Sequence, residues 1–98
     1  MNTKLESLIA EIGKKQIQRF IEKSAKHNAG TETDLASDNF NWNLDSLQYW
    51  RDEVEYHFEK WKATATTNSN GREPNAIIDL INVLTALYHK IELEKNEV

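Results

Sequence analysis

Apolar residues fall along this chain in three blocks with helical spacing, and the last block is the broadest. From Pro74 to Leu93 the chain reads PNAIIDLINVLTALYHKIEL. At roughly 100° per residue, Ile77, Leu80, Ile81, Val83, Leu84, Leu87, Tyr88 and Ile91 share one arc of roughly 160°. Asp79, Asn82, Thr85, His89 and Lys90 fill the remaining sector, with the small Ala86 among them. A surface helix needs an apolar stripe of only ~100°, so an arc this wide predicts a helix over about 74–94 that touches two neighbours. Asn68-Ser69-Asn70-Gly71 is turn-forming, and Pro74 suits the first helical position, where its missing N–H costs nothing. Glu73 or Asn75 is placed to serve the first N–H groups, and Asp79 to feel the positive helix end. The far end has no glycine stop. Its run of Glu92, Glu94 and Glu97 opposes the helix dipole and predicts fraying.

The middle block is the most regular. Leu47, Trp50, Val54, Phe58, Trp61 and Ala65 recur at spacings of 3, 4, 4, 3 and 4, a narrow seam with coiled-coil character. It predicts a helix over about 44–65, with Asn43 as its cap and Asp45 in its first turn. Arg51 and His57 flank the seam, whereas Tyr49 and Tyr56 lie on the face away from it, among Asp52, Glu53 and Lys60.

The first block predicts a helix over about 3–27. Thr3 and Glu6 match a capping box ahead of the apolar run. Leu5, Leu8, Ile9 and Ile12 share one face, but Ile17, Phe20 and Ile21 have swung by roughly 100°. Gly13 marks the change of phase, so either the helix bends there or its halves face different partners. Between the first two helices, Asn28-Ala29-Gly30 is a helix stop. The connection that follows carries Leu35, Phe40 and Trp42, which are too apolar for an idle linker. They are expected either to cover the end of the bundle or to anchor a partner.

The pattern therefore predicts an all-α fold, a three-helix bundle forming a single domain over 1–98. Helices 2 and 3 form an antiparallel hairpin and helix 1 covers one side of the wide arc of helix 3. Three features promise more apolar surface than one such unit can bury: the phase swing in helix 1, the two outward tyrosines and the breadth of helix 3. A homodimer that builds a larger helical bundle is expected.

Composition adds constraints. Ninety-eight residues, 39% hydrophobic and 29% charged, suit one small soluble helical domain, and three glycines with one proline leave little for a hairpin-rich β fold. The absence of cysteine excludes disulfides and thiolate metal sites and suits a reducing compartment. No apolar run approaches the ~20 residues of a membrane span, and no signal-peptide core is visible, so a cytoplasmic location is expected. The net charge of −4 is divided unevenly. Residues 1–30 carry six basic and three acidic groups, and residues 31–98 carry six basic and thirteen acidic groups. The first helix is thus expected beside an acidic neighbour, in the same chain or a twin. The alternative is a nucleic-acid contact through Lys15, Arg19, Lys23 and Lys26, for which glycine or aromatic interleaving is lacking.

Candidate chemistry is sparse. His27, His57 and His89 fall on three different helices. The pairs Glu53/His57 and His89/Glu92 have usable ligand spacing but lie at or outside the predicted core faces, so no metal or other cofactor is expected. No phosphate-cradling glycine loop and no serine elbow is present. Arg51-Asp-Glu-Val-Glu-Tyr-His57 resembles the Arg-x5-His motif of helical ribonucleases of the HEPN class. That resemblance implies a cation and an imidazole acting on phosphate across a dimer cleft. Asn43-Leu-Asp-Ser-Leu47, preceded by Phe40 and Trp42, resembles the helix start of barstar-type ribonuclease inhibitors. It implies an acidic inhibitory helix with Asp45 and Asp52 as contacts. The parallel strands of that family have no counterpart in the pattern, and a helix cap accounts for the match.

The reading that joins these features is a non-enzymatic helical protein that binds another macromolecule, as a small inhibitor, an immunity or antitoxin-like protein, or a regulatory subunit. Its expected partners are a protein, a second copy of itself, or both. Its candidate contacts are Phe40, Trp42, Tyr49, Asp52 and Tyr56.

Overall fold

The structure is a computed structural model and describes residues 3–67 and 71–96. These hold three α-helices and no strand: α1 (Thr3–His27), α2 (Leu47–Thr67) and α3 (Glu73–Asn96). The chain divides into two compact units, residues 1–41 and residues 42–98.

The first unit is α1 and the segment that follows it. The helix runs unbroken through Gly13, so the change of phase is carried without a stop. Ile12, Gln16, Phe20 and Ser24 are half-buried along one line, whereas Leu5, Leu8, Ile9, Ile17 and Ile21 are exposed on its flanks. The helix ends as expected at Asn28-Ala29-Gly30, where Gly30 adopts a φ of 78° that a side chain would resist. The segment beyond is not an open linker. Backbone N–H groups of Asp34, Ser37 and Phe40 each donate to the carbonyl three residues back, and Asn41 N donates to Glu32 O at 2.8 Å. Asp34 is buried at its centre and accepts from the backbone N–H groups of Gly30 (2.7 Å) and Ala36 (2.9 Å). Asn28 and Asn39 brace the same turns by donating to the carbonyls of Thr33 and Gly30.

The second unit is the α2–α3 hairpin. Trp61, late in α2, donates its indole N–H to Glu73 Oε2 at the start of α3 (3.1 Å). Trp42, ahead of α2, meets His89 near the end of α3 with ring centroids 4.7 Å apart. The two helices are therefore antiparallel, as expected. Their boundaries differ slightly from the pattern. α2 starts at Leu47 rather than 44 because Ser46, not Asn43, is the cap: its Oγ accepts from Tyr49 N at 3.1 Å. α3 starts at Glu73, one residue before Pro74, and Gly71 precedes it with a φ of 73°. Asn68, Ser69 and Asn70 of the expected turn lie outside the described residues, as do Glu97 and Val98. The end of α3 expected to fray reaches into those last residues; through Glu92 and Glu94 the backbone is helical. The helix continues to Asn96, with Lys90 3.6 Å from Glu94 and Lys95 3.4 Å from Glu92, so each carboxylate has a cation on its own helix face.

The larger departure is which faces meet. In α3 the buried residues are Asp79, Asn82, Ala86 and Lys90, spaced 3, 4 and 4 apart. They form the polar sector set against the wide apolar arc in the sequence pattern. In α2 the buried residues are Trp50 and His57, with Val54 and Trp61 half-buried beside them. The seam has rotated toward His57, and Phe58 and Ala65, expected inside it, are exposed. Ala86 is buried there, and a residue this small allows close helix approach. Most buried polar groups are engaged: Lys90 is hydrogen-bonded, His57 lies 3.6 Å from Glu53, and Asp79 and Asn82 both have interaction partners, although the buried Asn82 Oδ1 accepts no hydrogen bond. Burying charge is tolerable on those terms alone.

Candidate functional site

Two tyrosines on α2 share an unusual setting. Tyr49 and Tyr56 are seven residues apart, so they stand on the same side of the helix two turns from one another. Each ring meets the buried side chain that follows it in sequence. Tyr49 meets Trp50 with centroids 5.2 Å apart at 80°, and Tyr56 meets His57 at the same separation and angle. Edge-on contacts of this kind hold an aromatic ring without hiding its outer face. Tyr49 remains 42% exposed and Tyr56 55% exposed. Lys60 lies over the Tyr56 ring with its Nζ 5.2 Å from the centroid.

The charges around these rings are mostly acidic. Asp52 is exposed and its Oδ1 accepts from Gln48 Nε2 at 2.9 Å, which holds the carboxylate on the helix surface. Partial burial raises the pKa of the Tyr49 phenol, and Glu53 and Asp45 raise it further by opposing a negative phenolate. The phenol therefore stays a neutral hydrogen-bond donor over a wider pH range. Tyr49, Asp52 and Tyr56 of the expected contact set are thus together on one helix.

The other two expected contacts are placed differently. Phe40 is half-buried and belongs to the folded segment after α1. Trp42 is half-buried in the hairpin unit, between His89 and Trp50, whose centroid is 6.0 Å away. Lys90 Nζ donates to its carbonyl oxygen at 2.6 Å. Trp42 thereby closes the end of the hairpin, which is the covering role anticipated for the connection.

The remaining candidates fare unevenly. His57 is buried in the α2–α3 seam, whereas Arg51 is exposed, so the two members of the Arg-x5-His motif stand in different environments. His57 pairs instead with Glu53, one turn back on the same helix. Among the described residues no group of three or more His, Asp or Glu side chains is arranged to hold a metal ion. On α1, Lys15 lies 3.8 Å from Glu11 and Arg19 3.7 Å from Glu22, and Lys23 and Lys26 are exposed beyond them. The basic stripe is therefore interleaved with carboxylates. No helix among the described residues is long and apolar enough to cross a membrane.

Sequence reasoning missed Lys90 and Asp34, both buried and both holding backbone groups. For Asp34 a signal existed, since Thr31, Asp34, Ser37 and Asn39 are the residue types that bond to nearby backbone. Comparison with known proteins adds no assignment: no protein-family model, curated protein or solved structure matches this chain.

Proposed function

We propose that this chain is a non-enzymatic helical interaction protein that binds another macromolecule through the outer face of α2, with Tyr49, Asp52 and Tyr56 as contacts. The observation that carries this reading is the pair of exposed tyrosine rings, each held edge-on by a buried neighbour. Tyrosine supplies contact area at low entropic cost, and a ring already held in place loses less freedom on binding. Asp52 and the neighbouring carboxylates favour a partner with a basic surface. A small acidic chain of this design suits an inhibitor, an immunity or antitoxin-like protein, or a regulatory subunit.

The test is capture from a lysate of the source cell, using the full chain and its Tyr49→Ala/Tyr56→Ala variant, with the eluates assayed for protein and nucleic acid. The wild type is expected to retain a stoichiometric basic protein. The double variant is expected to lose about tenfold or more in affinity for it, with helix content unchanged. Equal retention by both chains would overturn this assignment, and recovery of nucleic acid alone would shift it to Lys15, Arg19, Lys23 and Lys26.

A further inference from the structure

His57 is a buried titratable side chain of α2 that the proposed contacts do not use; it is 9% exposed. The register of the hairpin shows what it faces. Trp61 is bonded to Glu73, and the two helices run antiparallel. His57 lies one turn back from Trp61, about 6 Å along α2, and Asp79 lies about 9 Å beyond Glu73 along α3. The two therefore stand within a turn of the same level. Both are on the buried sides of their helices, Asp79 being 8% exposed. On its own helix, His57 has Glu53 Oε2 at 3.6 Å from its Nε2.

This part of the seam thus combines one imidazole with two carboxylates, Glu53 from α2 and Asp79 from α3. The lysines of the hairpin are engaged elsewhere. Lys90 holds the Trp42 carbonyl and Glu94 at the far end, Lys60 lies over the outer Tyr56 ring, and Lys62 is 3.1 Å from Glu59. Arg51 and Arg72 are exposed. Burial favours the neutral imidazole, whereas the carboxylates favour the imidazolium. The Glu53 side chain is 32% exposed, so water still reaches the pair and the cost of burying the charge is partial. The attraction prevails on those terms.

We infer that His57 is a proton-operated lock on the α2–α3 hairpin, closed by an imidazolium between Glu53 and the α3 carboxylate Asp79 and loosened when the proton leaves. A histidine that binds its proton more tightly in the folded chain contributes its full stability below about 6.5, the ordinary value. That contribution is lost as pH rises through the higher folded value. Below about 4 the carboxylates protonate and the lock fails from the other side. The hairpin is therefore tightest in mildly acid solution. The Tyr56 ring rests edge-on against the same imidazole, but the lock stands on the seam and not on the proposed partner site.

NMR titration of the full chain should resolve the three histidine Hε1 signals. His57, identified by the signal missing from His57→Gln, should titrate about one unit above 6.5. Glu53→Gln removes a half-buried charge at little cost in packing and should bring that midpoint down. In urea unfolding, a one-unit rise makes the folded-to-unfolded ratio about sevenfold larger at about pH 5.5 than at about pH 8. His89→Gln should keep this gain and His57→Gln should lose it. If His57→Gln does not fold, His27→Gln and His89→Gln assign the signal by elimination, and the Glu53→Gln titration decides. A His57 midpoint at or below about 6.5, or one that Glu53→Gln leaves in place, would overturn the lock. So would a pH gain that survives in His57→Gln.

Discussion

Lys90 shows how much a single buried cation decides in a chain this small. Its ammonium donates to the Trp42 carbonyl and lies 3.6 Å from Glu94, so it ties the segment ahead of α2 to the end of α3. Lys90→Met keeps most of the side chain's bulk but leaves that carbonyl without its charged donor. We expect a loss of about 1–3 kcal/mol in urea unfolding. An unchanged midpoint would mean that the ring contacts of Trp42 with His89 and Trp50 hold the segment alone. The Tyr49 phenol gives a second residue-scale expectation. Its pKa is raised in the folded state, so the protonated form binds its proton more tightly there than in the unfolded chain. Its contribution to stability is complete below about 10, the ordinary tyrosine value. It is lost as pH rises through the higher folded value. Titration of phenolate absorbance should show a late-ionising step, and Tyr49→Phe should remove it. A late step that survives in Tyr49→Phe would assign it elsewhere. Neither role was visible in sequence, because a lysine or tyrosine on a polar helix sector reads as solvated until a neighbour covers it.

At the scale of elements, the three helices follow from periodicity and their ends from short-range chemistry. That is why α1 came out at its expected bounds and α2 moved only as far as the better cap, Ser46. Gly13 interrupts nothing. A Cβ built there meets no heavy atom within 4 Å outside its own helix, so Gly13→Ala should stabilise α1 by about 1 kcal/mol and raise the melting midpoint by far-UV circular dichroism. A lowered midpoint would show that the glycine is needed for a close approach. The bond from Trp61 to Glu73 joins the end of α2 to the start of α3. Trp61→Phe keeps an aromatic ring but loses that bond, and should cost about 1 kcal/mol beyond the smaller ring. Periodicity could not foresee the rotation of the α2 seam. His57 and Phe58 stand roughly 100° apart on the wheel, one on each flank of the seam, and a rotation smaller than that exchanges which of them is covered.

For the whole molecule, the hairpin is closed through the polar line Asp79, Asn82, Ala86 and Lys90 of α3, while the apolar arc of that helix is turned away from α2. Engaged polar groups such as Lys90 and Asp79 admit few alternative registers, because a slip would strand a buried charge. The amino-acid order by itself determined the number of helices, their approximate limits, the stop at Gly30 and the outward placement of Tyr49 and Tyr56. All of these depend on residues within about two turns of one another. Which side of α3 meets α2, and that Trp42 and Lys90 close the hairpin, were decided only by the tertiary structure. An apolar arc is attracted to any nonpolar surface and so names no partner, whereas buried hydrogen bonds between residues 48 positions apart exist only once both are in place.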